Sequence, residues 1–394
     1  MPYGSTSPKN LEFLMQDIGF WPGDRGQLFL FYDQEPILGT FNFELLDHVC
    51  NSFLHGDKFV LVTTERDSQT LDLIKEKYKC PVVYYFHHVF AAHDWFRGVK
   101  FDSRLVDPSK RKLTKKYITF NRITSNLRVY RSLFISELIK RDILEQGYVS
   151  YSDVCPENGS SYEQNLLDAV DEKLITQTVA TEAINNINQV SLPLRIDFKD
   201  EKLIPNSSFI LSAVTETQES FIYVVTETCY WERKCHLTEK IFKPIVSRMP
   251  FILVGPAHNL AYLRSYGFRT FDKWIDESYD TIEDPIARMS MIGAVLSDLC
   301  TLSLHDLECM LAEMQEVLEY NYNLFYSQEF IDRCWGELTD NLKSVTDTLL
   351  VPPRLKESIE MYLESKSLFD IFGEAAIDGW CPHTSQSLEY PPTP

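Results

Sequence analysis

Three short, unbroken apolar runs, Leu28–Tyr32, Phe59–Val62 and Val82–Phe86, fall in the first quarter of the chain and leave little choice of architecture. A strand that alternates apolar and polar residues keeps one wet face. A continuous run must be covered on both faces, which is the condition of strands in a parallel sheet flanked by helices. Helical spacing over Phe43–Phe53 and Leu71–Tyr78 supplies covering elements between the runs. The right-handed crossover rule then predicts that all three strands end on one edge. The loops leaving that edge are Asp33–Pro36, Thr63–Arg66 and His87–Trp95, and they are rich in polar groups, as a ligand-binding edge requires.

A second α/β alternation follows. Tyr117–Phe120 reads as a strand, Ser125–Leu144 as a helix, Tyr148–Tyr151 as a strand and Glu163–Asn188 as mostly helix. Phe221–Thr226 is the next strand, then come a helix opening at Thr238 and a strand over Phe251–Val254. The runs Asp298–Tyr322 and Gln328–Leu349 are helical without strand signals and are expected to pack outside or to cross back to the first unit. Leu355–Phe372 also reads as helical. A chain of 394 residues exceeds the size at which one core stops growing. The expected division is an α/β domain over 1–109, a second over 110–350, a helical extension over 351–383 and a polar, Pro-rich disordered tail over 384–394. The expected fold class is α/β: two Rossmann-like domains whose strand ends face each other across a cleft, with extra C-terminal helices.

Composition narrows the function classes. No apolar run approaches the roughly 18 residues of a membrane span, and the opening Met1–Pro8 has neither a basic nor an apolar signal region, so a cytoplasmic protein with no membrane span is expected. The nine cysteines include no Cys-x-x-Cys pair and read as reduced thiols. A net charge of −19 disfavours nucleic acid as a partner over most of the surface. The cluster Lys110, Arg111, Lys112, Lys115 and Lys116 is the local exception, read either as a solvated face or as a basic patch. The absence of GxGxxG and P-loop spellings argues against dinucleotide dehydrogenases and ordinary NTPases.

The stretch from His236 to Gly255 carries the chemistry. Thr238 is a good N-cap, Ile241, Phe242, Ile245 and Val246 have helical spacing, and Pro250 opens a buried strand. Free N–H groups and the positive end of the helix dipole attract phosphate, Lys240 and Lys243 add charge, and Glu239 can accept from ribose hydroxyls. The alternative is a surface ion pair between Glu239 and Lys243, four residues apart. Asp276, Glu277 and Asp280 are open to either of two roles, a sugar-hydroxyl site or a helix cap.

Thr238-Glu239-Lys240 before an apolar helix, a proline and an apolar strand ending in glycine resembles the donor-binding motif of family 10, the fucosyltransferase-like glycosyltransferases. The string Thr238-Glu-Lys-Ile-Phe-Lys-Pro-Ile245 with Phe271-Asp-Lys-Trp-Ile-Asp-Glu-Ser-Tyr-Asp280 is closest to bacteriophage-encoded members. The resemblance covers roughly Tyr117 to Ser327. It implies the GT-B fold, with acceptor contacts in the first domain and nucleotide contacts in the second. It also implies an inverting, metal-independent transfer from a nucleotide-sugar donor to a glycan or other hydroxyl acceptor, with no cofactor and no metal, in a bacterial or virus-infected cell. In that family a lysine and an arginine stand where a metal acts elsewhere. The lysine corresponds to Lys240, and the arginine to Arg131, because Arg131 and Leu138 keep the family's spacing; Arg122, just after a strand, is the second candidate. Glu227 corresponds to the glutamate upstream of the Thr-Glu-Lys, although the asparagine that follows in the family is Thr228 here. Thr238, Glu239 and Lys243 complete the expected donor site.

For the base, Glu35 resembles the acceptor-domain glutamate, with Asp33 beside it, while His88 and His93 in the third loop are alternatives. Two other functions fit the same reading: glycosylation of hydroxymethylated bases in viral DNA, and non-catalytic binding of a nucleotide sugar or glycan.

Overall fold

A computed structural model of the chain describes residues 28–32, 43, 46–47, 59–102, 105–196 and 213–346. They form two parallel sheets with helices packed around them. Of the expected elements, Asp33, Glu35, Leu355–Phe372 and 384–394 lie outside the described residues; the expected helix over Phe43–Phe53 is described, and helical, at Phe43, Leu46 and Asp47.

The first sheet holds β1 (Leu28–Tyr32), β2 (Phe59–Thr63) and β3 (Val82–Tyr84) in that order, with Tyr32 opposite Thr63 and Thr63 opposite Tyr84, so the carboxyl ends share one edge. Every residue of β2 is buried, as a continuous apolar run demands. Helix α1 (Gln69–Tyr78) makes the β2–β3 crossover; Ser68 caps it by accepting from Leu71 N at 3.2 Å, and it stops at Lys79, whose φ is 51°. The expected loop His87–Trp95 is instead helix α2 (His87–Phe96). Val89, Ala92 and Phe96 fall on one apolar face, and burying it outweighs the lack of a side-chain cap at Phe86.

The second sheet has the order β5-β4-β6-β7 and is parallel throughout, from β4 (Lys115–Asn121), β5 (Gly147–Tyr151), β6 (Ser220–Thr226) and β7 (Phe251–Val254). Helix α3 (Tyr130–Lys140) carries the chain from β4 to β5; the chain then returns to the far side of β4. The order therefore reverses between β4 and β6, and the crevice at such a switch point is where open α/β sheets hold ligands. The helix expected over Glu163–Asn188 is two, α4 (Tyr162–Asp171) and α5 (Gln177–Ile187). Lys173, with φ 60°, breaks the run, and Thr176 caps the second piece.

Helix α6 (Val214–Gln218) leads into β6, α7 (Glu239–Val246) joins β6 to β7, and α8 (Asn259–Ser265) follows β7. The C-terminal helices are α9 (Pro285–Thr301), α10 (Leu304–Glu313), α11 (Gln315–Phe325) and α12 (Gln328–Thr346). The last of them returns to the first sheet: Leu338 and Val345 pack on Val60, Val62 and Val83, and Asn341 Nδ2 donates to the Tyr84 carbonyl at 2.7 Å. Among the described residues no single helix is long and apolar enough to cross a membrane. The basic cluster is split among separate partners: Arg111 is buried on the carbonyls of Ser247 (2.5 Å) and Arg248 (3.1 Å), Lys115 reaches the Glu145 carbonyl and Lys116 that of Cys300.

Residues just past the carboxyl ends of the first sheet touch residues past the end of β6. Arg66 and Cys235 form an antiparallel backbone bridge (3.2 and 2.8 Å), and Glu65 pairs with Lys234 at 3.3 Å with both side chains buried. Phe86 joins the cores, its ring 5.8 Å from that of Phe242, 5.5 Å from Tyr262 and 4.9 Å from Tyr266. Phe86 is fully buried, so Phe86→Ala is expected to cost about 3–5 kcal/mol of unfolding free energy. Urea unfolding, followed by far-UV circular dichroism, measures the loss.

Candidate functional site

The start of α7 sits directly beyond the carboxyl end of β6, one of the two strands that flank the switch point. Thr238 caps it with extended backbone, its hydroxyl accepting from Lys240 N at 3.4 Å. The same hydroxyl donates to Glu227 Oε2 at 2.5 Å, while Thr238 N donates to Oε1 and Thr228 N to Oε2, both at 3.3 Å. A buried carboxyl immediately after β6 thus fixes where the helix begins. Lys240 Nζ closes the ring, donating to Thr238 Oγ1 (3.1 Å), Thr228 Oγ1 (3.3 Å) and Glu239 Oε1 (2.9 Å), with 30% of its side chain still exposed. Lys243, one turn on, is half-buried.

Glu239 Oε2 faces His88 Nδ1 of α2 at 3.7 Å, and the His88 ring meets that of His236 edge-on at 5.4 Å. His236 is fully buried; among the described residues neither of its ring nitrogens has a hydrogen-bond partner of normal geometry, and the backbone of Thr64, past the end of β2, approaches it. Its position is set by its own N–H, which donates to Asn259 Oδ1 at 3.0 Å.

Burial and charge drive these groups apart in acidity. Burial raises the Glu227 carboxyl above the ordinary glutamic acid range, partly offset by Lys240 and Thr238. Burial acts the same way on Glu239, but the charge of Lys240, then His88, the Lys240 hydrogen bond and Lys243 outweigh it and hold Glu239 down to about 2. His236 is pushed well below the usual histidine value by burial first, then by His88, Lys234 and Lys240. Near neutral pH the site therefore pairs an ionised Glu239 with a neutral His236.

The other expected residues are placed as follows. Arg131 is buried, its guanidinium donating to the carbonyls of Ile123 (2.9 Å), Thr226 (3.1 Å) and Glu227 (3.2 Å). It reaches the site through the main chain of Glu227, whose carbonyl also accepts from the Tyr130 hydroxyl. Arg122 is exposed just past the end of β4. His93 lies roughly 140° around α2 from His88, against Phe325 (ring separation 5.8 Å) and Tyr326 (6.4 Å), with its basicity lowered chiefly by burial. Glu277 is occupied by Phe271 N (2.6 Å), Thr270 Oγ1 (2.7 Å) and Arg264 (3.0 Å), Asp276 accepts from Ser278 N (2.9 Å), and Asp280 binds Leu260 N (2.9 Å) and Ala261 N (3.2 Å) at the start of the preceding helix α8 rather than capping the next one. Among the described residues no group of three or more His, Cys, Asp or Glu side chains is placed to hold a metal ion.

Two members of the site, His236 and Arg288, had no spelling to announce them. Arg288 is buried beside it, donating to the carbonyls of Tyr230 (2.6 Å) and Gly255 (3.1 Å). With Tyr130 stacked on one side of Tyr230 at 4.5 Å and the Arg288 guanidinium 4.6 Å from its ring centroid, that ring is packed inside. Comparison of the chain with family models, with curated proteins and with solved structures found no match.

Removing the Thr238 hydroxyl while keeping its shape takes away the shortest hydrogen bond to the buried Glu227 carboxyl and leaves it only the two long backbone bonds. Thr238→Val is expected to lower the unfolding free energy by about 1–3 kcal/mol, and Thr238→Ser to stay near the natural protein. Chemical denaturation of the two variants side by side tests the assignment.

Proposed function

We infer that this chain is a glycosyltransferase of the GT-B type, moving a sugar from a nucleotide-sugar donor to a hydroxyl acceptor with inversion and without a resident metal. The observation that carries the reading is the start of α7 at the switch-point edge, where the Thr238 cap, the first-turn N–H groups and the part-exposed Lys240 ammonium converge beside a buried Glu227. That is the chemistry a leaving diphosphate needs: fixed positive charge and backbone donors where negative charge develops. The spelling of Thr238–Lys240 and of Phe271–Asp280, and the meeting of the two sheets past their carboxyl ends, support the same reading.

In the proposed step the acceptor oxygen attacks the anomeric carbon as the bond from that carbon to the diphosphate oxygen breaks. The bonding electrons leave with the diphosphate, where Lys240 and the dipole of α7 receive the charge. A base takes the acceptor proton. Glu35, with Asp33 beside it, is the proposed base on the motif, and both lie outside the described residues. His88 is the alternative, with the Glu239 carboxylate 3.7 Å from its Nδ1. Arg131 supports the donor site through the Thr226 and Glu227 carbonyls it holds.

Lys240→Ala is expected to weaken binding of nucleoside diphosphates by about tenfold or more, since a charge-assisted hydrogen bond to phosphate contributes about 1.5–3 kcal/mol. Titration calorimetry with GDP, UDP, ADP and CDP measures this, and unchanged affinity for every one of them would remove the donor-site assignment. The base is tested separately, because general-base assistance is typically worth roughly 10²–10⁴ in turnover. Loss of that size in Glu35→Gln with a normal His88→Ala supports Glu35; the opposite pattern moves the base to α2.

A further inference from the structure

His236 and His88 meet across the seam between the two sheets, one imidazole from the β6–α7 segment and one from α2. His88 has the Glu239 carboxylate of α7 at 3.7 Å, which supplies the counter-charge for one proton. Among the described residues His236 has no such partner. It is fully buried, and the acids close by are already engaged: Glu65 with Lys234, Glu239 with Lys240, and Glu227 with Thr238. The groups acting on it most strongly are cationic or become so on protonation, namely His88, Lys234 and Lys240. His87 packs on the far side of His88, its ring 5.4 Å away, and the Thr64 backbone approaches from the end of β2. A proton on His236 would therefore be a buried charge with no acid of its own among the described residues, facing His88, Lys234 and Lys240.

We propose that the His88–His236 contact is an acid-sensitive latch, closed while His236 is neutral and opened when it takes up a proton. Opening releases the segment Thr228–Thr238 from the first sheet, since that segment carries both the Lys234–Glu65 pair and the Cys235–Arg66 backbone bridge. Water then reaches the start of α7. The latch concerns the ligand-free protein and does not depend on which sugar, or any sugar, is bound there.

Hydrogen exchange read by mass spectrometry between pH 7.5 and 5.0, corrected for the intrinsic pH dependence of exchange, tests this. One linked proton makes opening about tenfold more favourable per pH unit below the ordinary histidine value. Protection over residues 228–240 and α2 is expected to fall by that factor, while β4 and α3 hold theirs. His236→Phe, which keeps a flat ring and cannot be protonated, is expected to stay protected at pH 5.0, and His236→Leu serves as a second neutral variant should the first fail to fold. Loss of protection in the neutral variants equal to that of the natural protein, or no loss in the natural protein, overturns the proposal.

Discussion

A single buried carboxyl, that of Glu227, organises the second sheet's ligand edge. Its side chain receives the hydroxyl and N–H of Thr238, which sets the first residue of α7, and its own carbonyl receives the hydroxyl of Tyr130 and the guanidinium of Arg131 from α3. The two helices that flank the switch point are thus referenced to one residue just past the end of β6. Leaving such a group unpaired would cost more than any single hydrogen bond contributes, which makes the arrangement all-or-none. Lys240 depends on it in turn, because two of its three bonds go to hydroxyls, those of Thr228 and Thr238, that Glu227 holds in place.

A chain with a formal charge of −19 has carboxylates enough to surround its buried arginines. Arg111, Arg131 and Arg288 are held otherwise: their hydrogen bonds run chiefly to main-chain carbonyls. Of the carbonyls that Arg131 and Arg288 hold, those of Thr226, Glu227 and Gly255 lie at or just past the ends of β6 and β7, where parallel ladders run out of N–H partners. The planar fork of arginine satisfies several at once, and it leaves net positive charge behind the edge. The first sheet shows the opposite solution at Lys234 and Glu65, a buried pair whose members come from different sheets. Such a pair is weak as a source of stability but specifies which segments meet, since either partner alone would be a buried charge.

Much of this was legible in the sequence, for identifiable reasons. Continuous apolar runs could only be parallel strands, and β1, β2 and β6 fall where those runs lie. Thr238 was readable as a cap because capping is local. The segment His87–Trp95 was misread because its polar spelling hides the i, i+3, i+7 face of Val89, Ala92 and Phe96, which becomes a helix only through what it packs on. The break between α4 and α5 turns on a left-handed Lys173, a residue with no preference for that conformation. His236 and Arg288 matter through partners far along the chain, Asn259 and the Tyr230 carbonyl among them, and no spacing rule connects such residues. The strand order, and with it the switch point, is likewise a property of pairing rather than of any run.

The return of α12 to the first sheet has a bearing on how the chain is made. Val60, Val62 and Val83 are synthesised early, yet the Leu338 and Val345 side chains that cover them emerge some 250 residues later. At ribosomal rates of about 5–20 residues per second, that apolar face stays uncovered for roughly 12–50 seconds. Through that interval the first sheet is an incomplete fold waiting for its other half.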